Sequence, residues 1–188
     1  MSGQVRNYTS EEKAYHLKKM QVRFSRLDVN KDGFTSREDF DLMAKKMTEF
    51  GKLNEEQSDA VQKAFIHIAD IYELRPGVKV PIDEVIQKAH EKLLYDPDEP
   101  ERAKKILGVY FNILDTNNDG HISVEEFKVY LRILTPGTSD EDVVHTFNVI
   151  DTNSDGEISQ GEFVSAVSDF LFNTKETEIS KAFLGPSV

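Results

Sequence analysis

Three stretches of the chain place oxygen-bearing side chains at one repeated spacing. They are FSRLDVNKDGFTSREDF at 24–40, FNILDTNNDGHISVEEF at 111–127 and FNVIDTNSDGEISQGEF at 147–163. Each carries Asp-x-Asn-x-Asp-Gly, then a Ser and a final acid, bracketed by Phe four residues before the acidic loop and one after it. The last two begin at 111 and 147, 36 residues apart, which marks an internal repeat. Carboxylate, amide and hydroxyl oxygens at alternate positions of a short loop suit the chelation of a hard divalent cation. Ca²⁺ takes about six to eight oxygen ligands, drawn from positions 1, 3, 5, 7, 9 and 12 of a twelve-residue loop.

Those positions in the middle stretch are Asp115, Asn117, Asp119, His121, Ser123 and Glu126, and in the last they are Asp151, Asn153, Asp155, Glu157, Ser159 and Glu162. Position 7 offers its backbone carbonyl, so the side chains of His121 and Glu157 need not face the ion. Gly33, Gly120 and Gly156 occupy position 6, where the chain must turn with positive φ. This is the EF-hand pattern. The first loop offers Asp28, Asn30, Asp32, Phe34 through its carbonyl, Ser36 and Asp39. Its last ligand is one methylene shorter than Glu, and Thr35 replaces the apolar eighth residue. Weaker Ca²⁺ binding, or more Mg²⁺ tolerance, is expected there, because Mg²⁺ accepts six ligands without a bidentate carboxylate. An acidic turn alone would account for one such stretch; three in register point to three ion sites.

EF-hands pair, so three imply a fourth. With Val80 as the apolar eighth position, a relic loop runs over 73–84 as ELRPGVKVPIDE. Arg75 stands at a ligand position and Val78 where glycine belongs, so a structural role is expected, pairing with the first loop.

The elements that must position these loops are helices. Thr9-Ser10-Glu11-Glu12 forms a capping box. Ala14, Leu17, Met20, Phe24 and Leu27 then recur at helical steps, with His16 beside the stripe and partly exposed. Further helices are expected over about 36–50, 54–72, 83–95, 101–114, 123–134, 139–150 and 159–172. The fold class is therefore all-α, with two lobes of paired hands over 1–95 and 101–172, divided at Asp96-Pro-Asp-Glu-Pro100. The tail, 173–188, carries Ile179, Ala182, Phe183 and Leu184 at spacing suited to docking on the body.

Composition narrows the function. Hydrophobic residues are 38% of the 188, enough for a core, and no apolar run is long enough to cross a membrane. Thirty-four acids against 23 bases give a net charge of −11, which disfavours a nucleic-acid partner. Cys is absent, so disulfides and thiolate chemistry are excluded. Met1-Ser2-Gly3-Gln4 has neither a signal-peptide segment nor the glycine needed for myristoylation, so a cytoplasmic location is expected. His67, His90 and His145 have no nucleophile motif near them, and no enzyme is expected. A helix-binding sensor is disfavoured because Met20, Met43 and Met47 all fall in the first lobe. An ion buffer and a carrier of a small apolar molecule between the lobes remain, and the Phe and Tyr residues suit either a core or a cavity wall.

Longer stretches carry a resemblance: AYHLKKM at 14–20, DVNKDGF and SREDF within 28–40, RPGVKV at 75–80, and SDFLFNTKETEISKAFLG at 168–185. With these the chain resembles the sarcoplasmic calcium-binding protein and photoprotein superfamily, and within it the coelenterazine-binding (luciferin-binding) proteins of bioluminescent cnidarians. The resemblance implies non-covalent carriage of an imidazopyrazinone luciferin such as coelenterazine, its release when Ca²⁺ rises, and a luciferase that receives it. It also implies Arg23, Arg26, Phe40 and Phe183 as cavity contacts, with Phe40 in place of the Tyr expected just after the first loop. From the residues alone, the arginines also fit a solvated helix face. Light-emitting photoproteins rely on Trp, and this chain has none. The second reading is a cytosolic Ca²⁺/Mg²⁺ buffer of the sarcoplasmic type with no small ligand.

Overall fold

A computed structural model describes residues 7–185; the N-terminal Met1–Gln4 and the last three residues of the tail lie outside them. The helices are α1 (Ser10–Ser25), α2 (Arg37–Gly51), α3 (Glu55–Ile71), α4 (Ile82–Tyr95), α5 (Glu99–Leu114), α6 (Val124–Leu134), α7 (Asp140–Ile150), α8 (Gln160–Phe172) and α9 (Glu178–Leu184). Four short strands lie in the loops: β1 (Phe34–Ser36), β2 (Lys79–Pro81), β3 (His121–Ile122) and β4 (Ile158–Ser159). No helix among the described residues is long and apolar enough to cross a membrane.

The helix starts follow the side chains that can satisfy their free N–H groups. Thr9 Oγ1 accepts from Glu12 N, and Thr9 N in turn donates to Glu12 Oε2, as the capping box requires. Asn54, Ser123 and Ser159 cap α3, α6 and α8 in the same way. Two boundaries differ from expectation. Gly51 closes α2 from within, and Lys52 takes the left-handed position instead. Pro100 sits in the first turn of α5, where its missing N–H has no helical partner to lose.

Loops pair two by two through antiparallel strands. β3 meets β4 with Ile122 opposite Ile158, both fully buried. β1 meets β2 with Thr35 opposite Val80, so the relic loop does pair with the first, in the expected register. The relic loop itself forms a tight turn in place of a cradle: Val78 N donates to Arg75 O at 3.0 Å, with Pro76 at the second position and Gly77 at φ 78°. Pro then Gly at the two central positions is the chemistry of a type II turn.

Around the loops the helices bury one continuous core. The bracketing phenylalanines of the second lobe cross-pair, Phe111 with Phe163 at 6.0 Å between ring centroids and Phe127 with Phe147 at 5.9 Å. Each such buried ring contributes about 1.5–3 kcal/mol. Helices α1, α2 and α3 also touch α8, α6 and α5, so the core runs through both lobes.

One prediction from periodicity fails on α1. Ala14 is exposed, whereas His16 and Lys19 are completely buried with Met20 and Phe24. The expected partly exposed His16 is therefore corrected. Its buried surroundings follow from the C-terminal end of α8, whose free carbonyls need donors. His16 Nε2 donates to Leu171 O at 2.7 Å, and Lys19 Nζ donates to Phe170 O at 2.6 Å and to Asn173 O. Because His16 Nε2 carries the proton, its Nδ1 accepts from His90 Nδ1 on α4, 2.9 Å away.

Candidate metal loops and the cavity between the lobes

Each of the three acidic loops is tied by its own amides into the same cradle. The position-1 carboxylate accepts from the position-6 glycine N–H: Asp28 from Gly33, Asp115 from Gly120 and Asp151 from Gly156, all at 3.0 Å. Asn30, Asn117 and Asn153 each accept from the residue two further on, at 2.9 Å. The three glycines have φ of 83°, 90° and 88°, which a Cβ would strain. The last acid closes the loop onto both ends. Glu162 Oε1 accepts from Thr152 N and Oγ1, and its Oε2 from Ser159 N and Oγ, at 2.7–3.0 Å. The backbone N–H of Ser159 is the first cause that holds the Glu162 carboxyl down at about 2. Glu126 is held by Thr116 and Ser123 in the same arrangement.

Among the described residues no three His, Asp or Glu side chains form a metal-holding group by themselves. A cradle of this kind does not need them to, because it mixes two or three carboxylates with amide, hydroxyl and carbonyl oxygens. The residues fit a hard cation on a separate ground. Asp151 is 5% exposed, and its Oδ1 has no hydrogen-bond partner, an electron-rich oxygen whose burial is costly until something positive meets it.

The first loop differs in three places. Asp39 is fully buried and accepts from Val29 N at 3.0 Å and Ser36 N at 2.9 Å, but Val29 has no hydroxyl to add the bond that Thr116 and Thr152 supply. Thr35 is buried with its hydroxyl unpartnered. Lys79 from β2 donates to Asp32 at 2.6 Å, which is the first cause lowering the Asp32 carboxyl below its usual range.

Between the lobes lies a small cavity of about 80 Å³, bounded by α1, α5, α6, α8 and α9. Arg23, Arg26 and Phe183 line it together with Leu107, Tyr110 and Tyr130. Phe40 does not line it; its ring is fully buried in the first lobe against Tyr72, 6.1 Å between centroids. The sequence reading missed the tyrosines, whose positions are ordinary core positions of α5 and α6. Burial pushes Tyr130 up to about 12, raises Tyr72 and raises Tyr110 further, while the charge of Arg23 opposes each shift. Arg23 Nε and the Tyr110 hydroxyl are buried without partners. Arg26 donates to Phe183 O at 2.8 Å, and Tyr15 Oη lies 2.7 Å from Ser180 Oγ, so α1 holds the tail helix over the cavity.

Known proteins share this fold and its loop motif. The family model for an EF-hand domain pair matches residues 103–168, and that for an EF hand matches 20–44. The luciferin-binding protein of Renilla reniformis is 38% identical over 179 residues, 94% of this chain and 97% of that protein. The chain belongs to the EF-hand family of luciferin-binding and sarcoplasmic calcium-binding proteins. The sarcoplasmic calcium-binding protein of Perinereis vancaurica tetradentata is 35% identical over 92% of this chain and 98% of its own length. The crystal structure of the coelenterazine-binding protein from Renilla muelleri, in its calcium-loaded apo form, is 37% identical. It superposes with a TM-score of 0.88, covering 95% of this chain and 99% of that one.

Proposed function

We propose that this chain binds Ca²⁺ in three loops and carries a coelenterazine-like imidazopyrazinone between its lobes, 1–95 and 101–172, releasing it to a luciferase when Ca²⁺ rises. The ions would sit on Asp28, Asn30, Asp32, Phe34, Ser36 and Asp39; on Asp115, Asn117, Asp119, His121, Ser123 and Glu126; and on Asp151, Asn153, Asp155, Glu157, Ser159 and Glu162. Mg²⁺ competes best at the first set, where the shorter Asp39 removes the advantage of a bidentate grip. The observation that carries the carrier reading is the pair of unpartnered polar groups, Arg23 Nε and Tyr110 Oη, in a largely apolar cavity that Arg26 and Tyr130 also line, under a docked tail. A donor pair of this kind suits the carbonyl of a heterocycle whose aromatic arms take up the apolar wall.

The cavity of about 80 Å³ is far smaller than the roughly 300–1,000 Å³ that organic ligands occupy. An organic ligand held in this cavity would require the lobes or α9 to move outward, whereas the wider cleft of about 640 Å³ beside it, lined by Tyr15, Arg26, His145 and Phe183, already has the volume. Release on this reading rests on differential affinity: Ca²⁺ would favour the conformer closed around the small cavity and the ligand a wider one, so each would weaken the other. The same small volume also favours the second reading, a Ca²⁺/Mg²⁺ buffer with no organic ligand.

Mixing the Ca²⁺-free protein with coelenterazine separates the two. The carrier gives a one-to-one absorbance shift that Ca²⁺ reverses, and Tyr110→Phe weakens it about tenfold, the loss of one buried hydrogen bond. A protein that binds Ca²⁺ but gives no shift is the buffer.

A further inference from the structure

The relic loop contributes one charged group to the first loop. Lys79 stands on β2 opposite Ser36 of β1, so strand pairing delivers its ammonium to the rim of the first cradle. There it bonds Asp32 Oδ2 at 2.6 Å and lies 3.6 Å from Glu38. In the other two loops the corresponding oxygen meets a neutral amide: Asp119 Oδ2 accepts from Asn117 Nδ2 at 2.8 Å, and Asp155 Oδ2 from Asn153 Nδ2 at 2.9 Å. The fourth loop residue strengthens the contrast, being Lys31 in the first loop but Asn118 and Ser154 in the others.

Resting on the reading of the first loop as a Ca²⁺ site, we propose that Lys79 is a built-in competitor that lowers the Ca²⁺ affinity of that loop and so makes it fill last. An ammonium on a position-5 carboxylate must be displaced, or must share its oxygen, before an arriving ion gains the full attraction of Asp32. The pair is part-exposed, with Lys79 at 44% and Asp32 at 30% side-chain exposure. The expected effect is therefore that of a surface ion pair, about three- to fivefold in affinity. Loss of cation binding has thus left the second hand with a use, as the element that sets the response of its partner.

The test follows the amide signals of Gly33, Gly120 and Gly156 by NMR while Ca²⁺ is added to the full chain. Each glycine N–H bonds the first carboxylate of its own loop, so each reports one site. Lys79→Gln should move the Gly33 midpoint to about three- to fivefold lower free Ca²⁺ and leave the other two unchanged. Lys79→Arg should keep the original midpoint. Lys63→Gln, the same charge change on exposed α3, should move nothing. High salt should shrink the Lys79→Gln effect to under about twofold. A Gly33 signal that responds to Ca²⁺ with the same midpoint in Lys79→Gln, or equal shifts in all three loops, overturns the inference while leaving three-site binding intact. A Gly33 signal that never responds overturns the first-loop Ca²⁺ site, and the inference with it.

Discussion

The two lobes are built on one plan and differ in what they ask of their loops. In the second lobe both loops are complete, Ile122 packs on Ile158, and each closing glutamate is held at both ends of its loop. In the first lobe one loop is closed by the shorter Asp39, its partner is an Arg75-Pro-Gly-Val78 turn, and the paired positions are Thr35 and Val80. Strand pairing survives in the first lobe although one cradle is gone. Pairing needs only two backbones in register, whereas chelation needs six oxygens at fixed positions. Strand pairing and the oxygen cradle are thus separable, since the second hand keeps the first without the second.

The largest effect should come from removing the ions altogether. Each site saturated at about 100 times its Kd adds about 2.7 kcal/mol. With about 2–4 °C per kcal/mol for a chain of this size, chelation should lower Tm by at least about 15 °C. Three divalent ions also bring the net charge from −11 to −5 (−11 + 3 × 2), which adds to the stabilisation. Calorimetry with and without chelator checks this, and a shift of a few degrees would deny three strong sites.

Next in size is the closing carboxylate. Glu162→Gln should weaken the fourth loop roughly 100-fold, about 2.7 kcal/mol, and weaken its neighbour more mildly through the β3–β4 pairing. Asp39→Asn should leave both second-lobe loops within about twofold, because the first loop pairs only with the relic. Calorimetric titration separates these, and equal damage from the two variants would break the contrast between lobes. In the same assay Asp39→Glu should raise Ca²⁺ over Mg²⁺ preference at the first loop.

The seam between the lobes responds to acid. Burial, opposed by the Leu171 carbonyl, lowers His16 to about 4 from an ordinary 6.5. The unfolded chain therefore binds the proton more tightly than the folded one. The stability His16 contributes is complete above about pH 6.5 and declines as pH falls from there to about 4, by on the order of 3 kcal/mol. Urea unfolding across that range in wild type and His16→Gln checks it; the variant should show a flatter profile. The smallest effect concerns Thr35. Removing its buried, unpartnered hydroxyl with Thr35→Val should stabilise the first lobe by about 1 kcal/mol, measured as a Tm rise of about 2–4 °C.

Much of the molecule was legible in the chain because its acidic loops are local. Asp28 to Asp39, Asp115 to Glu126 and Asp151 to Glu162 each need only twelve consecutive residues to define their oxygens and their glycine turn. The helices flanking them declare themselves through apolar steps and capping side chains, and Val80 located the relic pairing by position alone. The cavity was less legible. Arg23, Arg26 and Phe183 meet at its wall, but Phe40 turned inward to Tyr72, and Tyr110 gave no sign that its hydroxyl would be left unpartnered.

His16 and Lys19 mark the limit most clearly. Periodicity assigns a side chain to a face by its own polarity, and by that rule both belong in water. What buries them is the end of a helix some 150 residues further along, whose carbonyls at Phe170, Leu171 and Asn173 accept their hydrogen bonds. The loops and helices could thus be read from the chain alone, because they depend on neighbours along it, and the pairing of the loops followed from their repeated motif. Only the tertiary structure decided the seam, the docked tail and the cavity, since partners distant in sequence supply the hydrogen bonds that make burying those groups affordable.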